Sequence, residues 1–187
     1  PEPYKGIRKK KFVTAVRLDP QKNLEMLIDA FSRFEKLYPD YTLEIYGEGS
    51  QRSYLENKCK EMNVEKKVVL KGFSKNLHEN ILDASAFIMS SNYEGMSNSL
   101  LEALALGVPV ISTDHPIGGA RMFIKNGNNG ILTKVGDTDE MFNALLFAAN
   151  NPEKMQAMAD EAIRIRQQIS VEKIVSQWMS YIEKVCG

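Results

Sequence analysis

Cysteine is nearly absent, with two in 187 residues, Cys59 and Cys186. That excludes a disulfide-framed fold, and thiols this sparse suit a reducing compartment. No apolar run approaches the roughly 18–20 residues that a membrane-spanning helix needs. An excess of one charge is missing too. The 24 basic and 24 acidic side chains cancel, which argues against a broadly basic nucleic-acid binder. Histidine is limited to His78 and His115, too few and too isolated for a metal cluster. There is no internal repeat and no low-complexity tract. What remains is 43% hydrophobic and 26% charged, the balance of a globular domain, at a length that fits one domain or half of a two-domain enzyme.

Residues 1–10 read as a linker or lead-in, with two prolines, Gly6 and the basic run Arg8-Lys9-Lys10-Lys11. Such a run is either a solvated approach to a strand or an attraction to an anionic membrane surface. Residues 11–187 then read as one domain. Short apolar runs alternate with amphipathic ones. Strands are expected at Phe12–Val16, Tyr41–Tyr46, Val68–Leu70, Ala86–Met89, Val110–Ser112 and Gly130–Thr133. Helices are expected at Asn23–Leu37, Ser53–Met62, Leu77–Leu82, Asn98–Leu106 (closed by Gly107) and Ala120–Lys125, then over 139–149, 152–168 and 171–185. Short, almost continuously apolar strands alternating with helices predict a doubly wound, Rossmann-like α/β fold with a parallel sheet of about six strands. The last helix carries the stripe Val171, Ile174, Val175, Trp178, Ile182 and Val185. It packs either on this domain's own core or on a partner domain.

Ligands of such sheets bind at the carboxyl ends of the strands. The most informative segment there is Ser90 to Ser99, which feeds a helix. Ser97 is a natural N-cap, leaving the amides of Asn98 and Ser99 to face a ligand, and such termini hold phosphates. Glu94 lies in the loop, and Glu102 follows on an otherwise apolar helix. Glu102 needs either a basic partner or ligand hydroxyls. Arg17 and Lys22 flank the first strand-helix turn and either are surface charges or reach the same crevice, where a diphosphate would meet both cations. Asp137-Thr138-Asp139, with Glu140 beyond, has the spacing of a metal-binding D-x-D but also that of a capping box, which is the preferred reading. Gly47-Glu48-Gly49 lacks the third glycine of a dinucleotide fingerprint. His115 follows a strand end and either faces the site or has a structural or solvated role.

These segments resemble a known family. Arg17-Leu18-Asp19-Pro20-Gln21-Lys22-Asn23 is similar to the first turn of retaining glycosyltransferases of the GT-B fold, family 4 (glycosyl transferases group 1). Glu94 to Glu102 resembles that family's E-x7-E motif, and Ala103 to Ile111 continues in the family style. Gly47-Glu48-Gly49, Lys71-Gly72-Phe73 and Asn126-Gly127-Asn128-Asn129-Gly130 fall where the family has glycines. One position departs, because Val16 stands where the family has glycine.

The resemblance implies the C-terminal, nucleotide-sugar-binding half of such an enzyme, with the N-terminal acceptor domain absent from this chain. Arg17 and Lys22 would hold the donor diphosphate, and Glu102 the ribose hydroxyls. Glu94 would bind the transferred sugar near its reacting carbon. Gly95, Met96, Ser97, Asn98 and Ser99 would complete the sugar and phosphate contacts through backbone amides, and Phe73 and Leu77 would border the base. The donor would be a UDP-sugar and the acceptor a glycan or lipid-linked molecule. The implied chemistry needs no metal or other cofactor. The implied location is cytoplasmic, with peripheral association of the full-length protein at the inner membrane face. The alternatives are a sugar-nucleotide epimerase of the same architecture and a non-catalytic nucleotide-sugar-binding module.

Overall fold

The computed structural model describes residues 3–116 and 118–186. Six parallel strands form one sheet in the order β3-β2-β1-β4-β5-β6. They are β1 (Lys9–Ala15), β2 (Thr42–Tyr46), β3 (Val68–Gly72), β4 (Ala84–Met89), β5 (Val110–Thr113) and β6 (Ile131–Thr133). The helices are α1 (Leu24–Glu35), α2 (Arg52–Glu61), α3 (Leu77–Leu82), α4 (Asn98–Leu106), α5 (Thr138–Asn150), α6 (Pro152–Ala162), α7 (Ile165–Gln168) and α8 (Val171–Cys186). This is the expected doubly wound, Rossmann-like sheet.

Alternation along each strand sends neighbouring side chains to opposite faces. Phe12, Ala86, Ile88 and Ile111 join one core with α1, α2 and α5. Val13, Phe87, Met89 and Val110 join the other with α4. Both faces are covered, which is why apolar side chains from one strand, such as Phe12 and Val13, serve cores on opposite sides. Strand order reverses between β1 and β4, so the chain leaves β1 toward one edge and β4 toward the other. The crevice for a ligand opens at that switch point, between the segments that follow β1 and β4.

Three expectations change, and one of the two alternatives for the last helix falls. β1 begins at Lys9, inside the stretch read as a lead-in, and its basic run is not merely solvated. The Arg8 guanidinium donates to the carbonyls of Leu82 (3.0 Å), Ala84 (3.1 Å) and Gly107 (2.7 Å), and burial pulls its pKa down to about 10. Lys9 and Lys11 pair with Asp83 at 2.7 and 2.8 Å, and Lys10 pairs with Asp40. The segment 120–125 forms turns rather than a helix, and the helix expected over 152–168 breaks at Ile163 and Arg164. The stripe on α8 does not pack on this domain's core, since every side chain from Val171 to Val185 is exposed and Trp178 is 61% accessible. Gly107 does close α4, in the left-handed conformation at φ 70°.

Candidate functional site

The segment after β1 is a single 3-10 turn, Pro20–Lys22, followed by Asn23 in the left-handed region (φ 46°, ψ 44°). Asparagine tolerates that conformation, and its side chain accepts from the Met26 amide to cap α1. Asn23 also donates to the Asn92 side chain at 2.9 Å. Three more bonds tie this turn to the segment after β4: the Asn92 amide to the Gln21 carbonyl (2.8 Å), the Gln21 side chain to the Tyr93 carbonyl (2.8 Å), and the Ser90 hydroxyl to the Lys22 carbonyl (2.8 Å). The two segments form one clamped unit. Asn23, where the sequence places the helix start, is the N-cap, and its tie to Asn92 leaves no mark in the sequence.

Inside this clamp Lys22 and Glu94 form an ion pair. Both are largely buried, with side chains 15% and 11% accessible. The Ser91 hydroxyl donates to the same Glu94 oxygen at 3.0 Å, and Thr113 holds the Ser91 carbonyl at 2.6 Å. Two residues 72 apart in sequence are thus held at one point by elements on both sides of the switch. Arg17 stands apart. It is exposed and pairs with Asp19. Glu102 has a basic partner, His78 on α3, at 3.2 Å, and both side chains remain about half exposed.

A cavity of about 450 Å³ opens beside Arg17. Ala15, Val16, Tyr46, Gly47, Phe73 and Leu77 line it. Phe73 is 76% accessible, an apolar ring offered to solvent at the rim. Tyr93 and Met96 are likewise exposed. The nearby glycines have a packing reason. A Cβ on Gly47, which sits at φ +127°, would lie 1.9 Å from the Val16 carbonyl oxygen, and one on Gly49 would lie 2.5 Å from that of Leu18. The second strand's turn can lie on the Arg17 turn only without side chains.

Ser97 occupies the N-cap of α4 with extended backbone, but its hydroxyl does not cap. It lies 3.3 Å from the Ser99 hydroxyl instead. The first-turn amides at Asn98 and Ser99 therefore receive no bond from the side chain expected to cap them, which suits an anion or a ligand oxygen. Gly95 carries the loop past the segment after β5. A Cβ on Gly119 would meet the Gly95 carbonyl oxygen at 1.7 Å.

His115 lies beneath this contact, 1% accessible, with no protein partner for either ring nitrogen among the described residues. Burial lowers its pKa below the ordinary value, against the pull of Glu94 and Asp114 and with the push of Lys22. Asp114 is engaged by Arg121, whose Nε donates at 2.8 Å, and this holds the carboxyl below its usual range. Asp137 caps α5, accepting from the Glu140 amide at 2.9 Å, while Glu140 turns to the Lys134 amide at 2.7 Å rather than back to Asp137. Among the described residues no group of three or more His, Cys, Asp or Glu is placed to hold a metal ion.

The structure therefore brings Lys22 and Glu94 together and sets Gly95, Met96, Ser97, Asn98 and Ser99 along one loop and helix start. Arg17, Phe73 and Leu77 lie around the adjoining cavity. Glu102 lies one step further, with His78.

Comparison with known proteins gives a consistent result. The family described as glycosyl transferases group 1 matches residues 4–165. The chain is 34% identical over 175 residues to a Campylobacter jejuni N-acetylgalactosamine-N,N'-diacetylbacillosaminyl-diphospho-undecaprenol 4-alpha-N-acetylgalactosaminyltransferase, covering 93% of this chain and 47% of that protein. Among solved structures, a mutant of S. aureus TarM in complex with Fondaparinux, alpha-GlcNAc-glycerol and UDP superposes with a TM-score of 0.90 at 26% identity, over 96% of this chain and 36% of that one. The pneumococcal O-GlcNAc transferase GtfA in complex with UDP and GlcNAc gives 0.83 at 26% identity, over 99% and 37%. The chain thus spans half or less of the length of these proteins. With its Rossmann-like sheet, its clamped switch-point loops and this match across most of its length, the chain belongs to the glycosyl transferases group 1 family.

Proposed function

We propose that this chain is the C-terminal, donor-binding half of a retaining GT-B glycosyltransferase of family 4, taking a UDP-sugar. The observation that carries the reading is the convergence at the β1/β4 switch point. A buried Lys22–Glu94 pair and an uncapped helix start at Asn98 and Ser99 stand together there, while Arg17, exposed and paired with Asp19, lines a cavity of about 450 Å³ beside the first turn. The two solved relatives described above, at 26% identity, were captured with UDP, which supports UDP as the nucleotide.

In this reading the uracil and ribose enter the cavity between Phe73, Leu77 and Gly47. Glu102 accepts from the ribose hydroxyls and the diphosphate lies between Arg17, Lys22 and the α4 amides. Each charge-assisted bond to a phosphate oxygen is worth about 1.5–3 kcal/mol. As the glycosidic bond breaks, negative charge grows on the departing diphosphate, and Arg17 and Lys22, turned from their acidic partners, stabilise it with the helix start and without a metal ion. Glu94, at the sugar end, orients the transferred hexose. The acceptor is a glycan or lipid-linked molecule bound by an N-terminal domain outside this chain. The undecaprenol diphosphate in the name of the C. jejuni relative supports the lipid-linked option. The half alone then binds donor and transfers nothing.

Calorimetric titration with UDP and GDP in EDTA tests the reading, on the native chain and on Arg17→Ala and Glu102→Ala. Metal-free UDP binding, weakened about tenfold or more in each variant, is expected. UDP affinity unmoved by either substitution, or measurable only with a divalent ion, would refute it.

A further inference from the structure

We propose that His115 is a positioning residue that becomes the partner of Glu94 when an anionic donor takes Lys22, picking up a proton as it does so. The inference rests on the donor-site reading above and goes beyond it, because that reading gives His115 no part. His115 is 1% accessible, yet neither ring nitrogen has a protein partner among the described residues. A buried imidazole with both nitrogens unsatisfied is an unusual arrangement, and it calls for a second state in which they are used. The ring sits under the Gly95–Gly119 contact, its Cε1 3.4 Å from the Cβ position of Gly119, directly behind the loop that carries Glu94.

The charges facing it are Glu94 from the segment after β4, Lys22 from the turn after β1, and Asp114 from its own segment, the last engaged by Arg121. While Lys22 pairs with Glu94, their charges cancel and the buried ring stays neutral. A diphosphate that draws Lys22 away leaves a buried carboxylate without its cation and neutralises the one positive charge that opposed protonation. Both changes favour the imidazolium. The sign follows from linkage. His115 then has a lowered pKa in the free protein and a raised one in the complex. Between those two values binding takes up a proton and affinity falls by up to about tenfold per pH unit as pH rises, and above the raised value it levels off. Lys22 is thereby released to the phosphate without loosening the loop that holds the sugar end.

The test is calorimetric titration of the 187-residue chain with UDP near pH 7, in buffers of different ionisation heat, for the native protein, His115→Asn and His115→Gln. The terminal phosphate of UDP contributes the same proton change in all three, so differences report the ring. The native chain is expected to take up a substantial fraction of a proton more than either variant. Between about pH 6.5 and 8 it should also lose affinity several-fold more steeply. A folding defect in the variants is bypassed by following the two histidines of the native chain by NMR, with His78→Gln assigning the signals. On UDP addition the His115 ring is expected to pass to the imidazolium. Saturating UDP with a ring that stays neutral, or equal proton counts in all three proteins, would overturn the proposal and leave the donor site standing. A native chain that does not bind UDP would overturn both.

Discussion

The contact between Gly95 and Gly119 supports the sharpest single perturbation. Gly119 has no unusual φ, so the only obstacle to a side chain there is space. An alanine Cβ would lie 1.7 Å from the Gly95 carbonyl oxygen, whereas real Cβ atoms stay beyond about 3.0 Å. The contact must therefore open by about 1.3 Å. Two responses exist. If the segments hold, the overpacking costs about 1–3 kcal/mol, which in a chain of this size lowers the melting temperature by roughly 2–12 °C. If they yield, the loop bearing Glu94 moves by about an ångström, and displacement on that scale weakens a preorganised site by up to about 100-fold. Gly119→Ala should thus lose stability in thermal melting, UDP affinity in calorimetry, or some of each. Gly95→Ala is the control from the other side of the contact. Its Cβ meets nothing within 4 Å, so its stability should change by less than about 0.5 kcal/mol. A Gly119→Ala protein that melts and binds UDP like the native chain would refute the close approach on which the site geometry depends.

Other outcomes follow from features away from the cavity. Arg8→Met removes a guanidinium that satisfies three backbone carbonyls, and should cost about 2–4 kcal/mol in urea unfolding while UDP affinity stays unchanged. Asp137→Ala removes the cap of α5 and should cost about 1 kcal/mol, with no change in UDP binding in the presence or absence of a divalent ion. A metal-dependent effect there would restore the D-x-D reading. Cys59 is 1% exposed, and burial raises its thiol to about pKa 11. In a Cys186→Ser background it should therefore react with thiol reagents near pH 8 only as fast as the domain opens.

The architecture was legible because burial on both faces of the sheet leaves a mark in sequence. Phe12 and Val13, adjacent in the chain, serve opposite cores, and such strands cannot alternate polar with apolar. Helix starts and stops were legible where the signal is local, as at Gly107 and Asp137. The segment 120–125 was not. Its apolar spacing resembles a helix turn, but Ala120 and Ile124 are fixed by burial against the core around α4, and Asn129 draws the chain back through the Lys125 amide and the Phe123 carbonyl. Long-range packing overrode local periodicity there. The basic run failed for a related reason. Arg8 looks like solvent-facing charge because its acceptors, at Leu82, Ala84 and Gly107, are backbone carbonyls, which carry no residue signature.

The site divides along the same line. Which loops bear the chemistry follows from strand ends, and those can be read from sequence. How the charges pair does not, because each partner arrives from a different loop. Lys22 finds Glu94 across 72 residues, and His78 finds Glu102 from a neighbouring helix. The consequence is energetic. A Lys22 free in solvent would meet a phosphate as an unencumbered cation, but this Lys22 must leave a largely buried carboxylate to do so. Stranding a buried charge typically costs about 3–5 kcal/mol, comparable to the gain from one or two charge-assisted bonds to phosphate. Binding at such a site is set by what becomes of Glu94 as much as by the diphosphate. Glu94→Gln separates the two contributions. It removes the charge that is stranded and keeps the side chain's shape, so on this argument it should leave UDP affinity equal or raise it, up to about tenfold, in the same calorimetric assay. A large loss of UDP affinity in Glu94→Gln would mean that the carboxylate instead holds Lys22 in the geometry that phosphate requires.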